Sequence, residues 1–484
     1  MIQRCDFKLR TAMYGVFILC KTVYIINYFS LLLALALPLR YHIDMSSRDY
    51  FKGKRIAVIG LGPHGEMVPD IKYLIKGGAL VSIYDLRSEA RLKTHLVFLR
   101  SIGLANYVCG SIPREDLEDM DLIILSHEYP RDSVFLKGLD GKKIQIEYPE
   151  TLFFKLAPPV TVVGIMGKCG KSTVMSVLSP MLDLAISKNF PDQNFFSANP
   201  ESDEGVLSHL KKMKSGDVLL LRLTDILMKE LYALRISPHV SIFTSIPQVG
   251  SYNNFPFEIL SYQTYNNFII GSDEVIDATH ELKLQSRAKM LRTKSSFIPS
   301  DWKLGGRGEH DRENAAMALQ AARLFKINDE GAREILEKWK PLKGRMEQVK
   351  KINSVEFYND SASVSSYSTM VALKCLSSDK NTVLIFGGSD TLNNYKELYS
   401  LFPQYVHTLV LIPGSGTLRE RVFLEGIEGV KICSTPSIEE AVRVSLESAK
   451  KGDKVIFSPG FDAAGFDRSR MERGERFVRA VRSL

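Results

Sequence analysis

Cysteine is sparse in this sequence and poorly placed for either a disulfide framework or a metal. Cys5, Cys20, Cys109, Cys169, Cys375 and Cys433 are scattered, form no CxxC pair and share no metal-type spacing with histidine. A chain of 484 residues builds its own cores without covalent staples, so these read as reduced thiols. The nine histidines contain neither HExxH nor HxH, and no histidine-built metal centre is expected. Low-complexity runs, short-period repeats and Lys/Arg blocks are also missing. The formal charge is +8, of which residues 1–44 supply +3, so the remainder carries too small a surplus to call for nucleic acid. Hydrophobic residues at 45% and charged residues at 24% exclude a wholly disordered, collagen-like or polytopic membrane chain. The length favours two to four domains.

Residues 13–39 are mostly apolar, and residues 22–39 are about long enough to cross a bilayer. Signal anchor, cleaved signal peptide and a leader outside the functional protein compete. No small-x-small site closes the run, which ends Ala-Leu-Pro-Leu-Arg40. Met45 opens an ordinary start for a cytosolic α/β enzyme, and the preferred reading begins the functional chain there. Membrane contact is then expected only if residues 1–44 are a real anchor.

Beyond residue 45, β-branched runs alternate with helix-period stretches, the pattern of βαβ units and parallel sheets. Strands are expected at 55–60, 80–85 and 122–126; at 160–164, 217–223, 240–244 and 268–271; and at 355–359, 382–387, 408–413 and 454–458. Pro and Gly interrupt the pattern near 156–159 and 340–344. Three linked α/β domains follow: 45–156, 157–341 and 342–484.

Two glycine-rich turns carry the chemistry. After the first strand comes Gly60-Leu-Gly62-Pro-His-Gly65, with Asp85 closing the next strand. The glycines permit a tight turn and close approach of a diphosphate to a helix N-terminus. A dinucleotide or any diphosphate nucleotide would satisfy them, and so would a purely structural turn. After 160–163 comes Gly164-Ile-Met-Gly167-Lys-Cys-Gly170-Lys171-Ser172-Thr173, a phosphate loop with its first glycine displaced from GxxxxGK[ST]. Its backbone N–H groups wrap a polyphosphate, Lys171 reaches the outer phosphates, and Ser172 or Thr173 can hold Mg²⁺.

That order of turns resembles the Mur ligases of peptidoglycan synthesis, and in particular their D-glutamate-adding branch. The likeness extends from Met45 to Leu484. It also rests on Gly308-Glu-His310-Asp-Arg-Glu-Asn314, Lys343-Gly-Arg345-Met-Glu347, Phe357-Tyr-Asn359-Asp360-Ser361, Ile385-Phe-Gly387-Gly388-Ser-Asp390, Phe457-Ser458-Pro459 and Glu472-Arg473-Gly474. The resemblance implies a Rossmann-like N-terminal domain, a phosphate-loop central domain and a Rossmann-like C-terminal domain. It implies a cytoplasmic monomer that uses ATP and Mg²⁺ to join an amino acid, D-glutamate in that branch, to UDP-N-acetylmuramoyl-L-alanine through an acyl phosphate. The UDP group would lie on Gly60, Gly62 and Gly65 with Asp85 and Arg87. ATP would lie on Gly164, Gly167, Gly170, Lys171, Ser172 and Thr173, with Asn314, Arg345 and Asp360; Ser172 would hold the metal. A dehydrogenase would use the first turn but leaves the phosphate loop unexplained.

The sequence departs from the family at several positions. Leu221-Arg222-Leu-Thr-Asp225 puts Arg222 at the Mg²⁺-binding glutamate, and residues 244–251 lack the family's acid and histidine. Asn266 falls at the carbamylated lysine. Ala362, Thr391 and Ala463 stand at further lysine or serine positions, and Asp462, Asp467, Arg468 and Arg470 alter the charge of the amino-acid loop. A guanidinium cannot ligate a metal but can clamp a phosphate. Arg222 is therefore read with Lys171 as catalytic, a fixed cation on the triphosphate. The alternative is an ion-paired Arg222 in a catalytically impaired paralogue that still binds nucleotide or UDP-sugar. His310 has two readings, orienting a loop near the nucleotide or serving structure alone. Residues 211–214 read as a solvated helix face and residues 252–257 as a packed connection.

Overall fold

A computed structural model describes residues 50–484 apart from 63–64, 140–143, 168, 199–204, 246–257, 282–285, 306–308, 391–393 and 464–469. The apolar leader, Met45, Gly308, residues 246–257, Thr391, Asp467 and Arg468 lie outside the described residues. Among the described residues, no helix is long and apolar enough to cross a membrane.

Three sheets follow one another along the chain. The first contains β1 (Arg55–Ile59), β2 (Leu80–Asp85), β3 (Asn106–Cys109), β4 (Leu122–Leu125) and β5 (Gln145–Glu147), in the order β3-β2-β1-β4-β5. The second contains β6 (Thr161–Met166), β7 (Phe195–Ala198), β8 (Val218–Arg222), β9 (Val240–Phe243), β10 (Phe268–Gly271) and β11 (Lys289–Arg292), in the order β11-β10-β9-β6-β8-β7. Every pairing in these two sheets is parallel. The third contains β12 (Glu347–Ile352), β13 (Val355–Asn359), β14 (Thr382–Gly387), β15 (Val406–Leu411), β16 (Lys431–Ser434) and β17 (Lys454–Gly460), in the order β12-β13-β17-β14-β15-β16. Only β12 runs antiparallel to its neighbour.

Parallel strands are covered on both faces, and their alternating side chains feed separate cores. Ile56 and Val58 enter one cluster while Ala57 and Ile59 enter another. The first of these clusters continues through Leu152 and Phe153 into Val206, Leu219 and Leu221, so the first two sheets share a core. Among the described residues, the clusters of the third sheet draw only on its own unit.

Six helices place the residues discussed below: α1 (Val68–Lys76), α2 (Pro149–Leu156), α3 (Lys171–Asn189), α4 (Asp225–Ala233), α5 (Glu309–Leu324) and α6 (Ser366–Leu376). Pro69 lies in the first turn of α1, where a missing N–H costs no helical bond. Five buried alanines of α5, among them Ala315 and Ala318, let it lie close against α3.

Candidate nucleotide and substrate site

In open parallel sheets, ligands collect beyond the carboxyl ends of the strands where the strand order reverses. In the first sheet that point is the end of β1, flanked by β2 and β4. Gly60, Gly62 and Gly65 all have φ near +80° (+78°, +79° and +83°), a left-handed conformation that side chains resist. A Cβ at Gly60 would come within 2.5 Å of Ser126 Oγ, and one at Gly65 within 2.6 Å of the His95 ring. Asp85 and Arg87 hold this turn from behind. Asp85 is fully buried; its carboxylate accepts from Leu61 N at 3.0 Å and from the backbone and Nε of Arg87, both at 2.9 Å. Arg87 Nη1 donates to Gly62 O at 2.9 Å. Burial opposes ionisation of Asp85, but Arg87 and the two backbone N–H groups outweigh it and hold the carboxyl below its usual range. Both Asp85 oxygens are engaged in bracing this loop.

In the second sheet the reversal falls at β6, between β8 and β9. The phosphate loop follows it. Gly164 sits within β6, opposite Leu221 and Ser241, and a Cβ there would strike Pro238 and Leu223. The missing side chain makes room for packing under the loop. Gly167 (φ +119°) and Gly170 (φ +82°) form the turn itself. Gly170 precedes α3, and a Cβ on it would come within 2.6 Å of Asn314 Oδ1, from the first turns of α5. Thr244 Oγ1 donates to Met166 O at 3.0 Å and also to Cys169 O, tying the loop to the end of β9. Lys171 Nζ donates to Gly167 O. Burial and then the Arg222 charge pull the Lys171 ammonium below its usual value, with Asp225 opposing.

Ser172 is the meeting point. Arg222, the last residue of β8, places Nη1 3.3 Å from Ser172 Oγ, and Arg345, from the turn before β12, places Nη2 3.4 Å away. Thr173, the other candidate hydroxyl, is buried in α3. Asp360 lies just past β13. Its buried carboxylate accepts from Met346 N at 3.2 Å and Ser458 Oγ at 2.7 Å, so it shapes the turn carrying Arg345. Burial raises its pKa to about 6.

Sequence reasoning overlooked an acid–base pair beside this site. His127, just past β4, lies 3.0 Å from Glu150 Oε2 in α2. Burial works against both charged forms, yet the mutual attraction raises His127 and lowers Glu150; the Arg222 charge helps to lower Glu150 and opposes the rise of His127. Its only signal in the sequence is position, immediately after a central parallel strand. His310 contacts Cys375 Sγ of α6 through Nδ1 at 2.9 Å and Asp311 through Nε2 at 3.3 Å. Burial pushes the Cys375 thiol up to about 11, so it is a neutral contact between units and not a nucleophile. Asn266 is exposed and Ala463 buried; Asp462 pairs with Arg470 at 3.3 Å.

No family model matches the chain. Curated relatives do. The UDP-N-acetylmuramoylalanine--D-glutamate ligase of Clostridioides difficile is 27% identical over 467 residues, covering 90% of this chain and 99% of its own length. The enzyme of the same name from Bdellovibrio bacteriovorus is 24% identical, covering 90% and 98%. Among solved structures, UDP-N-acetylmuramate-alanine ligase MurC from Thermotoga maritima aligns with a TM-score of 0.58 at 15% identity, over 89% of this chain and 99% of that one. The murein peptide ligase mpl from Psychrobacter arcticus gives 0.56 at 13% identity, with the same coverage. Along nine tenths of its sequence the chain is thus similar to curated UDP-N-acetylmuramoylalanine--D-glutamate ligases, and it shares the three-domain α/β fold of solved Mur ligases.

Proposed function

We propose that the chain joins D-glutamate to UDP-N-acetylmuramoyl-L-alanine at the expense of ATP, a step of peptidoglycan synthesis in the cytoplasm. Residues 45–156 hold the UDP group on the turn of Gly60, Gly62 and Gly65, with Arg87 fixing its shape. Residues 157–341 hold ATP on Gly167, Gly170, Lys171 and Ser172, with Asn314 alongside. Residues 342–484 bring Arg345 across to complete the site.

The substrate carboxylate attacks the γ-phosphorus of ATP; a P–O bond forms, the bond to the β-phosphate oxygen breaks, and ADP leaves. The amine of D-glutamate then attacks the acyl carbon, loses a proton, and expels orthophosphate as the amide forms. The first step needs cations, because a carboxylate about 4 Å from one phosphate charge is repelled by about 4 kcal/mol at an effective dielectric of about 20. Lys171, Arg222 and Arg345 supply that positive charge from fixed positions. Ser172 was the expected ligand of Mg²⁺, but its hydroxyl already accepts from two guanidiniums, so this donor set does not fit a protein-held divalent ion. No step is assigned to a metal.

The observation that carries this reading is the convergence of Lys171, Arg222 and Arg345 on one loop at the reversal point of the central sheet. Phosphate release measured with UDP-N-acetylmuramoyl-L-alanine and D-glutamate tests it. Turnover that needs both substrates and disappears in Lys171→Ala supports a ligase. ATP retained with no release under any amino acid would make the chain a nucleotide-binding paralogue instead.

A further inference from the structure

We propose that Arg222 and Arg345 take the place of a protein-held divalent cation, so that this chain retains ATP without Mg²⁺. The inference rests on the reading that the loop after β6 binds ATP, and it concerns how the nucleotide charge is met there.

A phosphate-loop hydroxyl ordinarily serves a magnesium ion, which demands oxygen ligands at about 2.0–2.1 Å in near-octahedral array. A serine hydroxyl has two acceptor lone pairs. At Ser172 two guanidinium nitrogens approach the oxygen, at 3.3 Å from β8 and at 3.4 Å from the turn before β12. A divalent ion on that oxygen would sit beside two positive groups. Each would oppose it by direct repulsion between like charges. The surroundings offer little compensation. Among the described residues no group of three or more His, Cys, Asp or Glu could hold a metal ion. Glu150, the buried acid whose charge reaches Arg222, is bound to His127 at 3.0 Å.

The same surroundings suit an anion. Guanidinium is planar, always charged and weakly hydrated, and its paired N–H groups match phosphate oxygens. Contacts of 3.3 and 3.4 Å to a neutral hydroxyl lie at the long end for hydrogen bonds and exchange readily for charge-assisted bonds to phosphate. The two arginines come from different directions, one fixed by β-sheet pairing of Arg222 with Ile165 and one by the turn that Asp360 holds. Together with Lys171 they offer three positive charges to the polyphosphate.

Calorimetric titration of the full chain with ATP, in buffer containing either Mg²⁺ or EDTA, tests the proposal. Dissociation constants agreeing within about threefold are expected; a constant more than about tenfold tighter with Mg²⁺ would overturn it. Arg222→Ala is expected to weaken binding at least about tenfold in EDTA, and Arg222→Glu to bind ATP only when Mg²⁺ is supplied. Unchanged affinity of Arg222→Ala in EDTA would likewise overturn the proposal. Arg345→Ala, on the other side of Ser172, gives an independent variant should Arg222 prove needed for folding, with the same expected loss. Absence of ATP binding in both buffers would sink the ligase reading itself, whereas tight binding only with Mg²⁺ would sink this inference alone.

Discussion

Removing the Arg87 guanidinium would leave the Asp85 carboxylate, fully buried at the end of β2, with two backbone N–H groups and no counter-charge. Breaking a buried pair from one side costs about 3–5 kcal/mol, and the partial exposure of Arg87 puts this case near the lower figure. Arg87→Ala is therefore expected to lower the urea midpoint of the first unit and to weaken UDP-sugar binding together with it. A variant that keeps its midpoint but loses the ligand would instead make Arg87 a direct contact. The distinction matters because Asp85 and Asp360 both looked like ligand-facing acids in the sequence. Spacing placed them correctly at strand ends, but it carried no information on where the carboxylate turns. Lys171 and Ser172 could be placed on one turn from the sequence because they are neighbours in it. Arg345 and Ser172 are 173 residues apart, and nothing local announces their meeting.

Among the elements, Gly60 and Gly53 form a natural comparison. Both have left-handed backbones, φ +78° and +76°, but an added Cβ at Gly53 meets nothing within 4 Å. Gly53→Ala should lose only the conformational term of about 1–2 kcal/mol. Gly60→Ala adds overlap with Ser126 and Tyr129, so its thermal midpoint should fall further and its affinity for UDP-N-acetylmuramoyl-L-alanine should drop. Equal losses in the two variants would show that the turn yields to the extra carbon. Strand recognition from sequence divided along a similar physical line. The strands missing from the expectation were β3, β5, β7, β11, β12 and β16, which are the six edges of the three sheets. An edge strand is half solvated, as in Lys-Met-Leu-Arg of β11 or Lys-Ile-Cys-Ser of β16, and lacks the unbroken apolar run of β14. Central strands were legible because they are buried on both faces.

Across the molecule, the first two units are fused by their shared core and by a buried acid. Asp70 of α1 accepts from Leu207 N of the central unit at 2.8 Å. Burial raises its pKa to about 8, against about 3.9 for an unfolded aspartate. Between those values the folded chain holds the extra proton, so stability falls as pH rises, and the full penalty is present above about pH 8. Asp70→Asn keeps an acceptor for Leu207 and removes the ionisable group. It should be more stable than the natural chain at pH 8, on the order of 5 kcal/mol, with the gap closing towards pH 4. Urea unfolding across that range checks it, and a gap of constant size would rule the explanation out.

The third unit has its own cores and touches the phosphate loop through Arg345 and the central helix α5 through Cys375. On the proposed function, a swing of that unit would carry Arg345 away from the nucleotide while Arg222 and Lys171 stay behind. Spent nucleotide would be let go by the retreat of an arm, with no need for the pocket beneath it to loosen.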